Sequence, residues 1–445
     1  MKEHFKTVII GVLLVTSVFL AEKIWLAAPP GPEELLPKAQ PKIAENIEPR
    51  VLPASMLVNF GDGKHTKIYQ LQNLWPFYRN ILKRSSEINE KVRWESVGTA
   101  RYLKLHEEPS VVFDLENAVY SDLLKKMYNL DDIEEDIRQL YFSESEGMLV
   151  VTDNGIFKPR VPQSYSDIET YISSVAKENL PSYSSLWERY GIPRAVYLPD
   201  GAAGFAPGHI YRNELSDMPA AYKNDLVQRL LKVSIDDIHV IVEEDSVLYV
   251  AGQKSVRLFK NGILEYRNGG ESQGSGTDAA SAVQTAMAFT VRATGNGDSL
   301  YVKDVVPVRD NGRGGYRVSL NFFERGIGVV PVDGRIKNYV EAEIYDNQVR
   351  SFRYIYRNNS GERVEDEPVS TLSVDEIVAK NPNVFGDPAR GYNEILKDVR
   401  DFGLCYIDYA DHSRSKLRYG YTFRIDDEDY LFDAQTGAYI GGERE

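Results

Sequence analysis

The chain has 445 residues, 42% hydrophobic and 27% charged. This is the balance of a globular protein of about three domains, and it excludes a mainly disordered chain and a multi-span membrane protein. With 66 acidic residues against 52 basic ones the net charge is −14, which repels phosphate backbones and excludes general nucleic-acid binding, while the single cysteine, Cys405, excludes an internal disulfide and any cysteine-clustered metal site.

Lys2 and Lys6 precede residues 7–21 (TVIIGVLLVTSVFLA), an uncharged and almost wholly apolar run. Glu22, Lys23 and Trp25 follow, and Pro29-Pro30 closes the stretch. A span of about 20 residues crosses a bilayer core, and here Lys23 and Trp25 would reach the outer interface. The two N-terminal lysines favour a cytoplasmic N-terminus, which places the bulk of the chain outside the cytoplasm. The rival reading is a cleaved signal peptide. Its small-x-small cleavage site is missing, and prolines stand where a peptidase would cut. We therefore expect residues 1–28 to be a cytoplasmic tip and retained transmembrane anchor. Residues 29–50, dense in proline with Glu, Lys and Gln between, read as a semi-extended linker. Thr7, Gly11, Leu14 and Val18 share one face of the expected span, and Thr7 and Gly11 form a small-x-x-x-small pair that admits a partner helix closely. This face is the candidate partner-binding site.

Residues 51–160 read as an N-terminal α+β domain. A hairpin is expected over 52–60 and 64–70 around Gly61-Asp62-Gly63, with further strands at 101–106 and 110–115, a helix near 117–128, and a second hairpin over 148–152 and 156–160. Residues 161–268 read as a central region with one helix over 166–180 and a meander of short strands at 239–243, 247–251, 255–259 and 263–267, the last turn carrying the type I′ signal Asn261-Gly262. Between them, residues 199–219 are rich in Gly, Ala and Pro and read as a long loop. Gly269–Gly276 (GGESQGSG) reads as the clearest internal linker.

Two units follow, 278–357 and 370–441. Each reads as helix followed by antiparallel meander. The first opens with Ala279, Ala282, Val283, Ala286 and Phe289 on one helical stripe, and the second with the capping box Ser373-x-x-Glu376. The cleanest strand is 416–425, where Leu417, Tyr419, Tyr421, Phe423 and Ile425 alternate with polar residues or glycine. The fold class expected is therefore α+β: an N-terminal transmembrane helix, a mixed N-terminal region and two C-terminal helix-plus-meander units.

Chemistry is thinly represented. The six histidines show no H-x-H or H-E-x-x-H spacing, the acidic runs at 131–136 and 426–429 lack a calcium-loop pattern, and no G-x-S-x-G or S-x-x-K is present. No catalytic, metal or cofactor-binding residue is nominated, no cofactor is expected, and no enzyme activity is expected.

The order of parts resembles the YycH family, membrane-anchored accessory proteins of the YycG (WalK) sensor kinase of low-GC Gram-positive bacteria. The resemblance rests on the N-terminal MKEHFKTVIIGVLLVTSVFLAEKIW, on Val51-Leu52-Pro53-Ala54 leading to Gly61-Asp62-Gly63-Lys64-His65, on residues 316–333 (YRVSLNFFERGIGVVPVD) with 340–345, and on residues 421–437 (YTFRIDDEDYLFDAQTG). The last two stretches are similar to sheet units shared with YycI and PepSY-type modules. The resemblance implies a regulator of a histidine kinase governing cell-wall metabolism, with the kinase and a YycI-like membrane protein as partners. The alternatives are a binding module for a cell-wall fragment or peptide and, third, a cell-surface hydrolase.

Overall fold

A computed structural model describes residues 53–69, 71–86, 93–115, 130, 133, 137–160, 165–201, 204–205, 209–270, 276–295, 300–310, 312–334, 337–360, 362, 369–385, 391–425 and 428–443. The expected anchor at 1–28, the linker at 29–50 and the helix near 117–128 lie outside the described residues.

The first sheet is built from β1 (Ser55–Gly61), β2 (Lys64–Ile68), β3 (Trp94–Ser96), β4 (Ser110–Asp114), β5 (Ile137–Ser143), β6 (Gly147–Thr152), β7 (Ile156–Pro159), β8 (Tyr183–Ser185) and β9 (Tyr197–Pro199). Its order is β3-β7-β6-β5-β4-β1-β2-β8-β9, antiparallel at every step. The expected hairpin is present as β1 and β2, turning through Gly61, Asp62 and Gly63 at positive φ. Helices α1 (Leu71–Ser86), α2 (Thr99–Leu105), α3 (Asp167–Val175) and α4 (Leu186–Tyr190) accompany this sheet. The strand expected at 101–106 is instead most of α2. Its buried residues are Tyr102 and Leu105, three apart, which is a helical and not a strand spacing.

Residues 199–219 are not one long loop. They carry β10 (Gly204–Phe205), β11 (Ile210–Asn213) and α5 (Glu214–Asp217). Helix α6 (Ala220–Leu231) follows and then β12 (His239–Val242), β13 (Ser246–Ala251), β14 (Lys254–Phe259) and β15 (Ile263–Asn268). The β14–β15 turn is not type I′. The Gly262 N–H donates to the Phe259 carbonyl, and of the turn residues only Gly262 takes a positive φ, so the geometry is a type I turn closed by a left-handed glycine.

Helix α7 (Ala279–Thr294) precedes β16 (Leu300–Asp310), β17 (Arg313–Glu324), β18 (Ile327–Val332), β19 (Val340–Tyr345), β20 (Gln348–Ile355), β21 (Arg357–Asn359) and β22 (Val369–Ser370). The chain ends with α8 (Val374–Lys380), α9 (Tyr392–Asp398), β23 (Val399–Tyr409), β24 (Arg414–Lys416), β25 (Arg418–Ile425), β26 (Glu428–Asp433) and β27 (Tyr439–Glu443). Asp278 caps α7 by accepting the Ser281 N–H at 3.0 Å, and Gly295 ends it in the left-handed region. The expected stripe is the buried face of α7: Ala279, Ala282, Val283, Ala286 and Phe289 are all covered. Its small alanines let the helix lie close to β17 and β19.

These later strands form a second sheet of 13, ordered β12-β13-β14-β15-β20-β19-β17-β18-β23-β25-β26-β27 with β16 on the other edge of β17. Strand β17 branches it: Tyr316–Leu320 pairs with β19, and Phe322–Glu324 pairs with β18 along the same edge. Strands β18 and β23 then run parallel, Val329 opposite Tyr406 through Val332 opposite Tyr409. This overturns the α+β expectation. The described residues are predominantly β, 46% strand against 25% helix. The two units expected to be separate meanders share one sheet through the β18–β23 ladder, and among the described residues no helix is long and apolar enough to cross a membrane. The strands expected at 315–323 and 404–409 are present within β17 and β23, but β18, which joins them, was not among the strands expected, and neither was its parallel pairing.

Beside the branch lies a buried ion pair. The Arg357 guanidinium grips Asp408 with Nε to Oδ2 at 2.6 Å and Nη2 to Oδ1 at 2.9 Å, both side chains fully buried. Arg357 also donates to the carbonyls of Tyr211 and His412 and to Ser415 Oγ, and Asp408 also accepts from Tyr339 and Ser415. Burial, and then the neighbouring Asp408, push the Tyr339 hydroxyl far above its ordinary range, so it remains a donor. Strand β11 lies between β21 and β24, Tyr211 opposite both Asn359 and Ser415, and so closes over this pair.

Tight packing marks one glycine of β17. A Cβ on Gly315 would sit 2.4 Å from the Ile344 carbonyl and 2.5 Å from the Tyr345 ring, whereas one on Gly314 would meet nothing within 4 Å. Gly315→Ala is expected to lower stability by about 1–3 kcal/mol in denaturant titration, and Gly314→Ala to stay within about 0.5 kcal/mol of the parent.

Candidate functional site

Strand β2 turns His65 and Lys67 to one face, with Tyr69 continuing the same parity beyond its end. Lys67 is 8% exposed, and an ammonium at that depth needs partners. Its Nζ lies 3.0 Å from Asp114 Oδ2, donates to the Phe402 carbonyl at 3.0 Å, and stands 3.8 Å from Asp401 Oδ1. Strand β4 supplies Asp114 and the start of β23 supplies Asp401, so the cluster joins the two sheets. Burial works against the Lys67 charge, but Asp114 and then Asp401 outweigh it and hold the ammonium above its ordinary range. Asp114 accepts further from Ser55 Oγ at 2.8 Å and Gln139 Nε2 at 2.6 Å, and Gln139 accepts from the Tyr102 hydroxyl at 2.9 Å. The Asp401 carboxyl is held above the usual carboxylate range by loss of water around it, against the pull of Lys67.

Asp114 and Asp401 form part of the lining of a cleft of about 410 Å³. Four arginines, Arg138, Arg194, Arg400 and Arg424, line it as well. Arg138 grips Asp153 with two bonds of 2.9 and 3.0 Å, Arg424 grips Asp429 with bonds of 2.8 and 3.0 Å, and Arg194 reaches the Val399 carbonyl at 3.4 Å. Such a cleft suits a polar, hydrogen-bonding ligand. Lys67, protonated and bonded on every side, has no lone pair to offer as a nucleophile. A smaller cavity of about 70 Å³ lies behind, lined by Lys67, Tyr69, Asp401, Phe402 and Cys405. Cys405 is a buried thiol outside any disulfide, packed with Val330, Val332, Ile407 and Leu431.

A second polar group stands beside the first. His65 Nδ1 meets Asn59 Oδ1 at 2.7 Å and its Nε2 meets Glu188 Oε1 at 2.8 Å, while Asn59 donates to Ser110 Oγ. Burial opposes the Glu188 charge, yet the Ser185 N–H and the His65 ring hold its carboxyl below the usual range. His106 shares a 2.8 Å hydrogen bond with the Tyr197 hydroxyl and stacks on that ring at 5.6 Å. Among the described residues no group of three or more His, Cys, Asp or Glu side chains is placed to hold a metal ion.

The sequence-nominated face, Thr7, Gly11, Leu14 and Val18, lies outside the described residues. Sequence reasoning missed the Lys67 cluster. The available signal was His65, Lys67 and Tyr69 at period two on one strand, a polar face where an apolar one was expected. Asp401 gave no such sign, since only the fold brings it to Lys67.

No family model matches the chain, and no curated protein matches it. Two solved structures are similar in part. An uncharacterized protein from Eubacterium rectale is 14% identical, with a TM-score of 0.34, over 55% of this chain and 86% of that one. The Bacillus megaterium YpeB C-terminal domain is 12% identical, with a TM-score of 0.29, over 51% of this chain and 97% of that one. At these scores neither likeness carries an argument about fold or function.

Proposed function

We propose that this chain is an accessory regulator of a sensor histidine kinase of the YycG (WalK) type, acting through protein contacts and not through catalysis. In this reading residues 1–28 anchor it as a single pass with a cytoplasmic N-terminus, the remainder is extracytoplasmic, and a YycI-like membrane protein is a further partner. The observation that carries the reading is the N-terminal order of Lys2 and Lys6, the apolar run 7–21 and the Pro-rich stretch, in a chain that resembles the YycH family from there onward. The fully engaged Lys67 agrees with a binding role and not a chemical one.

The second reading is a binding module for a cell-wall fragment or peptide. It is favoured by the arginine-lined cleft of about 410 Å³.

The test is affinity capture from solubilised membranes, with the full-length chain compared with one lacking residues 1–28. The kinase is expected to co-purify with the first and to be lost or depleted with the second. Gly11→Leu, on the candidate face, should weaken capture by about 1 kcal/mol or more, and Ile10→Leu, off it, should do little. Equal behaviour of the two substitutions would remove the proposed face, and absence of any kinase from the full-length capture would remove the regulatory reading.

A further inference from the structure

Strand β12 is exposed along its whole length. Val240 and Ile241 are each 50% exposed and Val242 is 77% exposed. These are β-branched apolar residues that normally pack on a covered sheet. β12 also ends the second sheet, pairing with β13 alone among the described strands, in unbroken register from His239 opposite Val250 to Val242 opposite Val247.

The hydrogen-bond phase tells which groups face outward. The Glu243 N–H donates to the Ser246 carbonyl at 2.9 Å, one step beyond Val242 in the same register. Bonded and non-bonded pairs alternate along an antiparallel ladder, so Ile241 and His239 spend their backbone groups on β13. The N–H and C=O groups of Val240 and Val242 are left on the open side. Within its four residues the strand carries no lysine, no proline and no bulge to block pairing.

Charge selects what can pair there. Asp236 and Asp237 precede the strand, and Glu243, Glu244 and Asp245 follow it. Two copies of β12 laid antiparallel would set the leading aspartates of one against the trailing acids of the other, at both ends of the ladder. Like charges placed opposite oppose pairing. A segment with basic ends meets the reverse situation.

We propose that β12 is a strand-addition site for another protein, taking an extended segment of alternating β-branched residues with Lys or Arg at both ends, paired antiparallel on Val240 and Val242. This inference does not depend on the regulatory reading, because the same edge would capture such a segment whatever the chain regulates.

The test uses the full-length chain in detergent micelles. The probe is a fluorescent synthetic peptide of alternating valine and threonine with two lysines at each end, titrated by polarisation. A peptide with the lysines replaced by glutamate serves as control. Binding of the lysine peptide, at least about tenfold tighter than the control and weakened by salt, is expected. Val242→Pro removes an outward N–H without touching the β13 ladder, and Val240→Lys adds a repelling charge. Each should cut affinity about tenfold while the thermal melt stays near that of the parent. Equal binding of the two peptides, or unchanged affinity in both variants, overturns the proposal. So does self-association of the chain, or binding to neutral phosphatidylcholine vesicles, that Val242→Pro abolishes, since the occupant would then be a second copy or a lipid surface.

Discussion

Arg357→Met is expected to cost about 3–5 kcal/mol of stability in equilibrium denaturation. Both members of the Arg357–Asp408 pair are fully buried, and the guanidinium satisfies both carboxylate oxygens as well as the Tyr211 and His412 carbonyls. Methionine fills much of the volume but leaves the Asp408 charge with only Tyr339 and Ser415 as donors. The penalty comes from that stranded charge more than from the lost attraction. The double variant Arg357→Met, Asp408→Leu is therefore expected to recover a large part of the loss. A single variant within about 1 kcal/mol of the parent, or a double variant worse than the single, would show that the pair is not held dry.

The second expected result is an acid limb set by His106. Burial, and then the nearby His65, lower its pKa from an ordinary 6.5 to about 3, against weaker opposing pulls from Asp114 and Glu188. The unfolded chain thus takes up a proton below about pH 6.5 that the folded chain refuses until about pH 3. Stability contributed by the neutral ring is present above the unfolded value and is lost as pH falls through this window. Between pH 6 and 4 the slope from this one group approaches about 1.4 kcal/mol per pH unit. His106→Leu also removes the Tyr197 hydrogen bond and lowers stability at every pH, so the level alone decides nothing. The diagnostic is the slope: denaturation midpoints at several pH values should show the variant's acid limb flatter by about that amount. An unchanged slope would assign the acid sensitivity elsewhere.

Much of the local structure was readable from residues alone. In the stretch read as 416–425, Leu417, Tyr419, Tyr421 and Phe423 alternate and all are buried, and the α7 stripe follows helical spacing. Periodicity names the face of an element; it does not name the element's partner. The union of β18 with β23, and hence the overturn of the two-unit expectation, depends on pairing across a long stretch of chain. The same limit hid Lys67, which bonds Phe402 from 335 positions away. Strand β11 was missed for a different reason: Gly, Ala and Pro around it mimic a loop, and its partners lie in β21 and β24.

The position of β11 sets a schedule for biogenesis. Ile210 is synthesised roughly 200 residues before its partner Lys416, which at about 5–20 residues per second is a wait on the order of 10–40 seconds. Its partner β21 emerges part-way through that interval, and until β24 follows the backbone groups on the other edge of β11 lack their final strand. The region holding the Arg357–Asp408 pair cannot close until nearly the whole polypeptide has emerged, so its maturation is post-translational, and holding factors that shield nascent strands would meet this chain at β11.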